Sequence, residues 1–528
     1  MKLLWVALMT GSYAIAQSLD GGSTAKCQAL KDVRIPDVII NEATPTAAVA
    51  PQPNQTVAVM LPPHCLVRGV IDSRTGVGGV HFGITFELRL PANWEGRFLF
   101  QGGGGMDGVV RPALGMASAA NGNPGLARGF AVASTDAGHQ GRPDDASFSR
   151  DQQARIDNAY RSIDRVTMIA KMLITQYYGS PWKRAYFDGC SNGGRQGLVA
   201  AQRYPTYFDG VVSGAPAFRV SRAAIGSAWE TILFRQIAPK DDSGRPILSQ
   251  AYSENDLKLA SNAILEKCDA LDGVKDGLVF NTNACRFDPA VLACKGNKTD
   301  SCLSKEQVTT LKKVFSGPVN SRGQTLYSDW PWDPGISSSG WRMLKLGTST
   351  TPEPNAADVT LMLSGLKGYF MTPYDASFDP LKFDFDKDSP KVMETAALQD
   401  GDWTELSTFI DRGGKLLLYH GVADPFFSSK DTTRYYERAV ADNRGAGKDW
   451  ARLFLAPGMT HCGGGPALDN FDALGALVDW VEKGKAPEQI NASGASFPGR
   501  SRPLCAYPKF AQYRGTGSTE DAANFECK

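Results

Sequence analysis

The chain has 528 residues, 42% of them hydrophobic and 21% charged, with a formal net charge of +1. That length exceeds one compact core, so a large domain with a second domain or a big insertion is expected, and the composition is that of a soluble globular protein. Lysine and arginine are scattered rather than clustered, which argues against nucleic acid or an anionic membrane as partner.

Residues 1–16 read as a secretory signal peptide, with Lys2 as a basic start, residues 3–9 as the apolar core and Ala14-Ile15-Ala16 as the cleavage site before Gln17. The apolar run is too short to span a bilayer, and no later segment has the roughly 18 consecutive apolar residues of a membrane helix. The mature chain is therefore expected in the periplasm or outside the cell. Ten cysteines, an even number in an oxidising compartment, favour five disulfides. Sequence alone does not set their connectivity. Spacing suggests the local pairs Cys27–Cys65, Cys268–Cys285, Cys294–Cys302 and Cys505–Cys527, which leaves Cys190 and Cys462 for each other. No C-x-x-C spacing occurs, so neither a zinc cluster nor a thioredoxin-like site is expected.

Residues 17–60, rich in alanine, proline and threonine, are expected to wrap the surface. Residues 65–71 and 80–90 read as leading strands. Arg97-Phe98-Leu99-Phe100 reads as a buried strand ended by Gln101-Gly102-Gly103-Gly104-Gly105, and Phe130-Ala131-Val132-Ala133 as another. Residues 163–178 carry helical spacing. Ala185-Tyr186-Phe187 is a strand that runs into Asp188-Gly189-Cys190-Ser191-Asn192-Gly193-Gly194, and residues 195–203 read as a helix. Gly189 to Gly193 fits the G-x-S-x-G elbow, a sharp strand-to-helix turn that lifts a serine hydroxyl above a parallel sheet. Strand–helix alternation then continues through residues 208–216, predicting a doubly wound, mostly parallel sheet of the α/β-hydrolase kind. On that fold the Gly-rich loop and the residue after the nucleophile supply the oxyanion amides, here assigned to Gly102 and Asn192. No Gly-Lys-Ser/Thr follows the loop, so a phosphate-binding P-loop does not fit.

Residues 217–404 lose that rhythm and read as an inserted lid, separating a first core part, 17–216, from a second, 405–528. Trp341 in the lid is either ordinary core or a wall of an aromatic substrate pocket. Asp269, Asp272 and Asp276 are spaced around glycine turns, either as a solvated turn pair or as an oxygen-rich cation loop that is not an EF-hand. Lys415 to His420 restores a buried strand, followed by Asp424 and a helix over 428–440, and Arg452-Leu453-Phe454-Leu455-Ala456 is the last strand. His461 follows it. Asp424 and His461 both sit just past strand ends, and the order Ser191, Asp424, His461 is that of α/β-hydrolases. Ser191 is activated only with an imidazole beside it. A Cys190–Cys462 bridge would hold the two together, since bridged Cα atoms lie roughly 4.4–6.8 Å apart. His420 either lines the site or is a core histidine at a strand end.

With Gly-Cys-Ser-x-Gly-Gly, the Asp424 loop and His461-Cys462 in place, the chain resembles the tannase and feruloyl esterase family over nearly its whole mature length. The resemblance implies a serine esterase acting on small esters of aromatic acids, of the hydroxycinnamate or gallate type, as a monomer without an organic cofactor. It implies a structural Ca²⁺ in the lid, with carboxylates from Asp269, Asp272 and Asp276 and carbonyls from Val274 and Leu278. It also implies that Phe427 and lid side chains near 344–366 form the acid pocket. A terephthalate half-ester hydrolase is the alternative within the same chemistry. The lid arginine that clamps such a substrate's free carboxylate aligns near Asp358, and residues 343–381 contain no arginine. Other readings are a peptidase on the same fold and a non-catalytic binding protein; amide substrates and fluorophosphonate labelling distinguish them.

Overall fold

The computed structural model describes residues 17–52, 57–116, 122–443, 445 and 447–528. The signal-peptide reading at 1–16 lies outside them.

Nine strands form one sheet: β1 (Val38–Thr46), β2 (His64–Thr75), β3 (His81–Pro91), β4 (Arg97–Gln101), β5 (Phe130–Thr135), β6 (Arg184–Cys190), β7 (Gly210–Gly214), β8 (Lys415–Gly421) and β9 (Ala451–Ala456). Their order is β1-β2-β3-β5-β4-β6-β7-β8-β9. The first three pair antiparallel as a leading meander, β3 joins β5 antiparallel, and β5 through β9 run parallel. The central strands are near-continuous apolar runs because successive residues feed opposite faces, and both faces are covered. Phe98, Phe100, Phe187, Leu416 and Leu418 enter one core, packed under the helices Ser162–Tyr178 and Asn192–Arg203. Leu99, Tyr186, Leu417 and Tyr419 enter the other, under Ala473–Lys483.

Residues 17–60 do more than wrap. Val38–Thr46 is an edge strand, with Pro45 opposite Cys65 where the missing amide harms nothing on the outer side. At the other end of the chain, two small hairpins pair Gln489–Ser493 with Ser501–Cys505 and Ala511–Tyr513 with Phe525–Cys527.

Between β7 and β8 the chain leaves the sheet, and residues 215–414 supply most of a third core, which Phe82, Met106, Phe148 and Phe427 also enter. Its helices include Val220–Ile237, Glu254–Cys268 and Lys305–Phe315. The last two open on reciprocal capping boxes, Ser253 with Asp256 and Ser304 with Gln307, each satisfying two otherwise unpaired amides. Five disulfides close the structure: Cys27–Cys65, Cys190–Cys462, Cys268–Cys285, Cys294–Cys302 and Cys505–Cys527. No helix among the described residues is long and apolar enough to cross a membrane.

Candidate active site

Strand β6 ends at Cys190, and Ser191 turns the chain with φ 64° and ψ −125° into the helix Asn192–Arg203. A non-glycine residue at such φ costs on the order of 1–3 kcal/mol and is held only by the structure on both sides. The turn is also very close. A Cβ on Gly189 would lie 2.7 Å from the Gly193 carbonyl, and one on Gly193 would lie 2.8 Å from Gly103 O. Both flanking positions are therefore restricted to glycine.

Asp424 and His461 follow β8 and β9. His461 Nδ1 lies 2.8 Å from Asp424 Oδ2, while Asp424 Oδ1 accepts the amides of Phe426 at 2.8 Å and Phe427 at 3.2 Å. Burial alone would raise the pKa of Asp424. His461 and His420 outweigh it and hold the carboxyl well below the usual carboxylate range. The Cys190–Cys462 bridge, with Cα atoms 6.0 Å apart, ties the residue before Ser191 to the residue after His461. His461 Nε2 lies 3.8 Å from Cys462 Sγ, and among the described residues no hydrogen bond joins it to Ser191 Oγ. Serine–histidine contacts commonly tighten only when substrate arrives.

A narrow pocket opens beside Ser191, walled by Met106, Val220, Met362, Tyr369, Phe370 and Phe427. Phe427 is one of the expected pocket residues. The other two expected residues do not line it. His420 is fully buried, with Nε2 3.2 Å from Asp424 Oδ2 and 3.0 Å from Phe427 O, and Nδ1 2.8 Å from Thr432 Oγ1. Both neighbours of Nε2 are acceptors, so that nitrogen carries the proton, and neither ring nitrogen is left for a substrate. Trp341 lines a separate small pocket with Trp330, Lys345 and Glu230, and Asp424 also lines it.

Gly102 also needs correction as an oxyanion donor. Its amide donates to Asp188 O at 2.9 Å, because the β4–β6 ladder runs one residue past the end of β4. The Gly103 amide donates to Gln196 Oε1 at 3.0 Å. The amides of Gly104 and Gly105 have no acceptor among the described residues, and Gly105 lines the Ser191 cavity. Asn192, the first residue of its helix, has no preceding turn to take up its amide.

In the lid, Lys345 Nζ donates to Glu230 and, at 3.0 Å, to Asp358 Oδ2, all three side chains being buried. Two carboxylates therefore share one cation, and burial pushes the Glu230 carboxyl up to about 7. In the loop after Cys268, Asp269 accepts the amides of Asp276 and Gly277, and Asp272 Oδ2 accepts that of Phe280. Asp272 Oδ1 is buried without a partner. Burial and the charges of Asp276 and Asp269 push its pKa up to about 7. Asp276 Oδ1 accepts the Leu278 amide and its Oδ2 accepts from Arg502. Among the described residues no three acidic, histidine or cysteine side chains are grouped so as to hold a metal ion by themselves. An orphaned buried carboxylate oxygen in a loop of three aspartates nonetheless fits an oxygen-seeking cation, with main-chain carbonyls making up the count.

A family model for tannase and feruloyl esterase matches residues 65–528. This chain belongs to that family. Over 96% of its length it is 42% identical to the mono(2-hydroxyethyl) terephthalate hydrolase of Piscinibacter sakaiensis, of which 92% is covered. Over 99% it is 31% identical to a probable feruloyl esterase of Arthroderma benhamiae, of which 97% is covered. Among solved structures, feruloyl esterase B from Aspergillus oryzae superposes with a TM-score of 0.80 at 27% identity, covering 96% of this chain and all of that one. The tannin acyl hydrolase of Aspergillus niger shares the fold, with a TM-score of 0.74 at 22% identity over 97% of this chain and 95% of its own. The protein is a carboxylic ester hydrolase with an α/β-hydrolase fold.

Proposed function

We propose that this esterase is secreted and cleaves esters of aromatic acids, of the hydroxycinnamate or gallate type, through Ser191, His461 and Asp424. The observation that carries the reading is the 2.8 Å contact of His461 with buried Asp424, bridged to the serine turn by Cys190–Cys462. Ser191 Oγ attacks the ester carbonyl carbon while His461 Nε2 takes the hydroxyl proton. Asp424 keeps the Nδ1 proton on the imidazole, so that Nε2 is free to accept. The oxyanion is received by the Asn192 amide and by an amide of the Gly104–Gly105 turn. His461 returns the proton to the leaving alcohol, then deprotonates the water that frees the acid. An apolar, aromatic-walled cavity beside Ser191 suits a flat aromatic acyl group. Five disulfides suit an oxidising compartment outside the cytoplasm.

The likeness to the mono(2-hydroxyethyl) terephthalate hydrolase favours a second reading, a half-ester carrying a free carboxylate. None of the residues lining the Ser191 cavity is lysine or arginine, and Lys345 is already shared by two carboxylates. Neutral aromatic esters are therefore the favoured substrates. The test is a panel of ethyl ferulate, methyl gallate and the terephthalate half-ester on wild type and Ser191→Ala. Turnover of all three should vanish in the variant; retained turnover removes Ser191 from its role. A preference for the half-ester would establish the second reading.

Asp269, Asp272 and Asp276, with the carbonyls of Val274 and Leu278, would hold a Ca²⁺ that fixes the start of the lid. The ion supplies rigidity there and takes no part in the ester chemistry.

A further inference from the structure

The Gly-rich loop and the first turn of the elbow helix are joined by a buried polar network that the triad does not use. Asp107 ends the loop at φ 60°, with only 2% of its surface exposed. Its Oδ1 accepts from Asn192 Nδ2, and its Oδ2 accepts from Gln196 Nε2 at 2.8 Å. Asn192 and Gln196 stand one turn apart on the same helix, so one carboxylate spans both. The orientation of each amide is set by its other end. Gln196 Oε1 receives the Gly103 amide at 3.0 Å, and Asn192 Oδ1 receives Arg195 Nε at 2.6 Å. Arg195 is itself fixed by the carbonyls of Ala159 at 2.8 Å and Gln399 at 2.9 Å. Neither amide can flip without setting its NH2 group against another donor.

We propose that Asp107 is a positioning residue that sets the spacing between the two oxyanion donors, by accepting hydrogen bonds from Asn192 and Gln196 and so locking the Gly-rich loop to the nucleophile helix. The inference rests on the serine-esterase reading of the site. Asp107 touches no reacting atom. It acts through the Asn192 amide on one side and the loop Gly103–Gly105 on the other. Loop and helix approach closely, a Cβ on Gly102 lying 2.7 Å from Gly193 Cα, so a small rotation of the loop moves one donor off the oxyanion. Losing one such donor typically costs ~10²–10³ in kcat.

The test exploits the fixed amides. Asp107→Asn presents an NH2 group to either Asn192 Nδ2 or Gln196 Nε2, both donors that cannot turn. With ethyl ferulate, kcat should fall about 10²-fold while KM stays within about 3-fold. The double change Asp107→Asn with Gln196→Glu restores complementarity. One carboxylate oxygen introduced at position 196 accepts the NH2 group introduced at position 107, the other accepts the Gly103 amide, and the network keeps its charge. The double variant should recover most of the lost kcat. A purely structural role predicts instead a loss that tracks Tm and KM, with no recovery in the double variant. Either that pattern or wild-type kcat in folded Asp107→Asn overturns the proposal. Should Asp107→Asn fail to fold, Gln196→Met removes the same tether from the helix side at similar volume. A kcat-only loss there supports the proposal and unchanged kcat overturns it. Ser191→Ala separates the two readings: activity surviving in Ser191→Ala sinks the triad, whereas a dead Ser191→Ala beside a fully active Asp107→Asn sinks only the positioning role.

Discussion

Asp424 shows how far one side chain can determine a tautomer. Its Oδ1 is held by two backbone amides and its Oδ2 by two imidazoles, His461 and His420. In Asp424→Asn the amide oxygen stays with the backbone amides, so the NH2 group faces His461 Nδ1. That favours the tautomer protonated on Nε2, which cannot take the serine proton. We expect kcat to fall by about 10⁴ with little change in KM or Tm, read from steady-state kinetics and thermal melts; a loss under about tenfold would contradict the assignment. Asp424 and His461 are legible in the sequence because each lies one short turn past a buried strand, in the order the fold demands. His420 is not, because a histidine at a strand end reads the same whether it faces a pocket or an acid one turn away. Gly102 misleads for a related reason: nothing in a run of glycines shows how many amides the neighbouring strand will claim. Asp107 is invisible for want of any local pattern, since its partners Asn192 and Gln196 lie on another element.

At the scale of elements, the strands that carry the site are read correctly because burial on both faces demands apolar runs, as in Phe98-Leu99-Phe100 and Leu416-Leu417-Leu418. Val38–Thr46 escapes that reading, since an edge strand tolerates Asn41, Glu42 and Pro45 where a central one would not. The acidic loop after the helix Glu254–Cys268 is legible in composition but not in geometry, because Arg502 arrives from the far end of the chain to take Asp276. Its cation has a direct test. Calcium held by Asp269, Asp272 and Asp276 should add about 3–4 kcal/mol at a 100- to 1,000-fold excess over its Kd. EGTA should then lower the Tm, added Ca²⁺ should restore it and Mg²⁺ should not, because Mg²⁺ gives up its water reluctantly. Asp272→Asn should melt at the same temperature with and without EGTA. A wild-type Tm indifferent to EGTA would remove the ion from the lid.

Across the whole molecule, the lid is carried between two neighbouring parallel strands and tied back to the hydrolase body by buried acids. Asp333 in the lid accepts the amides of Gly335 and of Gly458, the latter on the loop leading to His461, and burial pushes its pKa up to about 6. Asp400, at the lid's return, accepts the Ser221 amide at 3.2 Å and hydroxyl at 2.7 Å. Burial pushes its pKa up to about 7; Asp402 adds to that rise, while Ser221 and Arg222 oppose it. These shifts have the sign opposite to that of Asp424. An unfolded aspartate titrates near ~3.9, so between about 4 and about 7 the folded chain holds protons that the unfolded chain has released. Stability therefore falls as pH rises through that window. The depressed carboxyl of Asp424 works the other way, but its contribution is complete above the unfolded pKa and is lost only on further acidification. The Tm in saturating Ca²⁺, which removes the Asp272 contribution, should thus decline from pH 6 towards pH 8, while the buried imidazoles of His64 and His139, whose pKa burial lowers from 6.5, oppose that trend on the acid side. Asp400→Asn cannot ionise, and its decline should be visibly shallower. Melts at pH 5, 6, 7 and 8 decide the matter: equal slopes in wild type and variant would mean that Asp400 is charged in the folded protein, and that the lid's return is held by something other than a neutral acid.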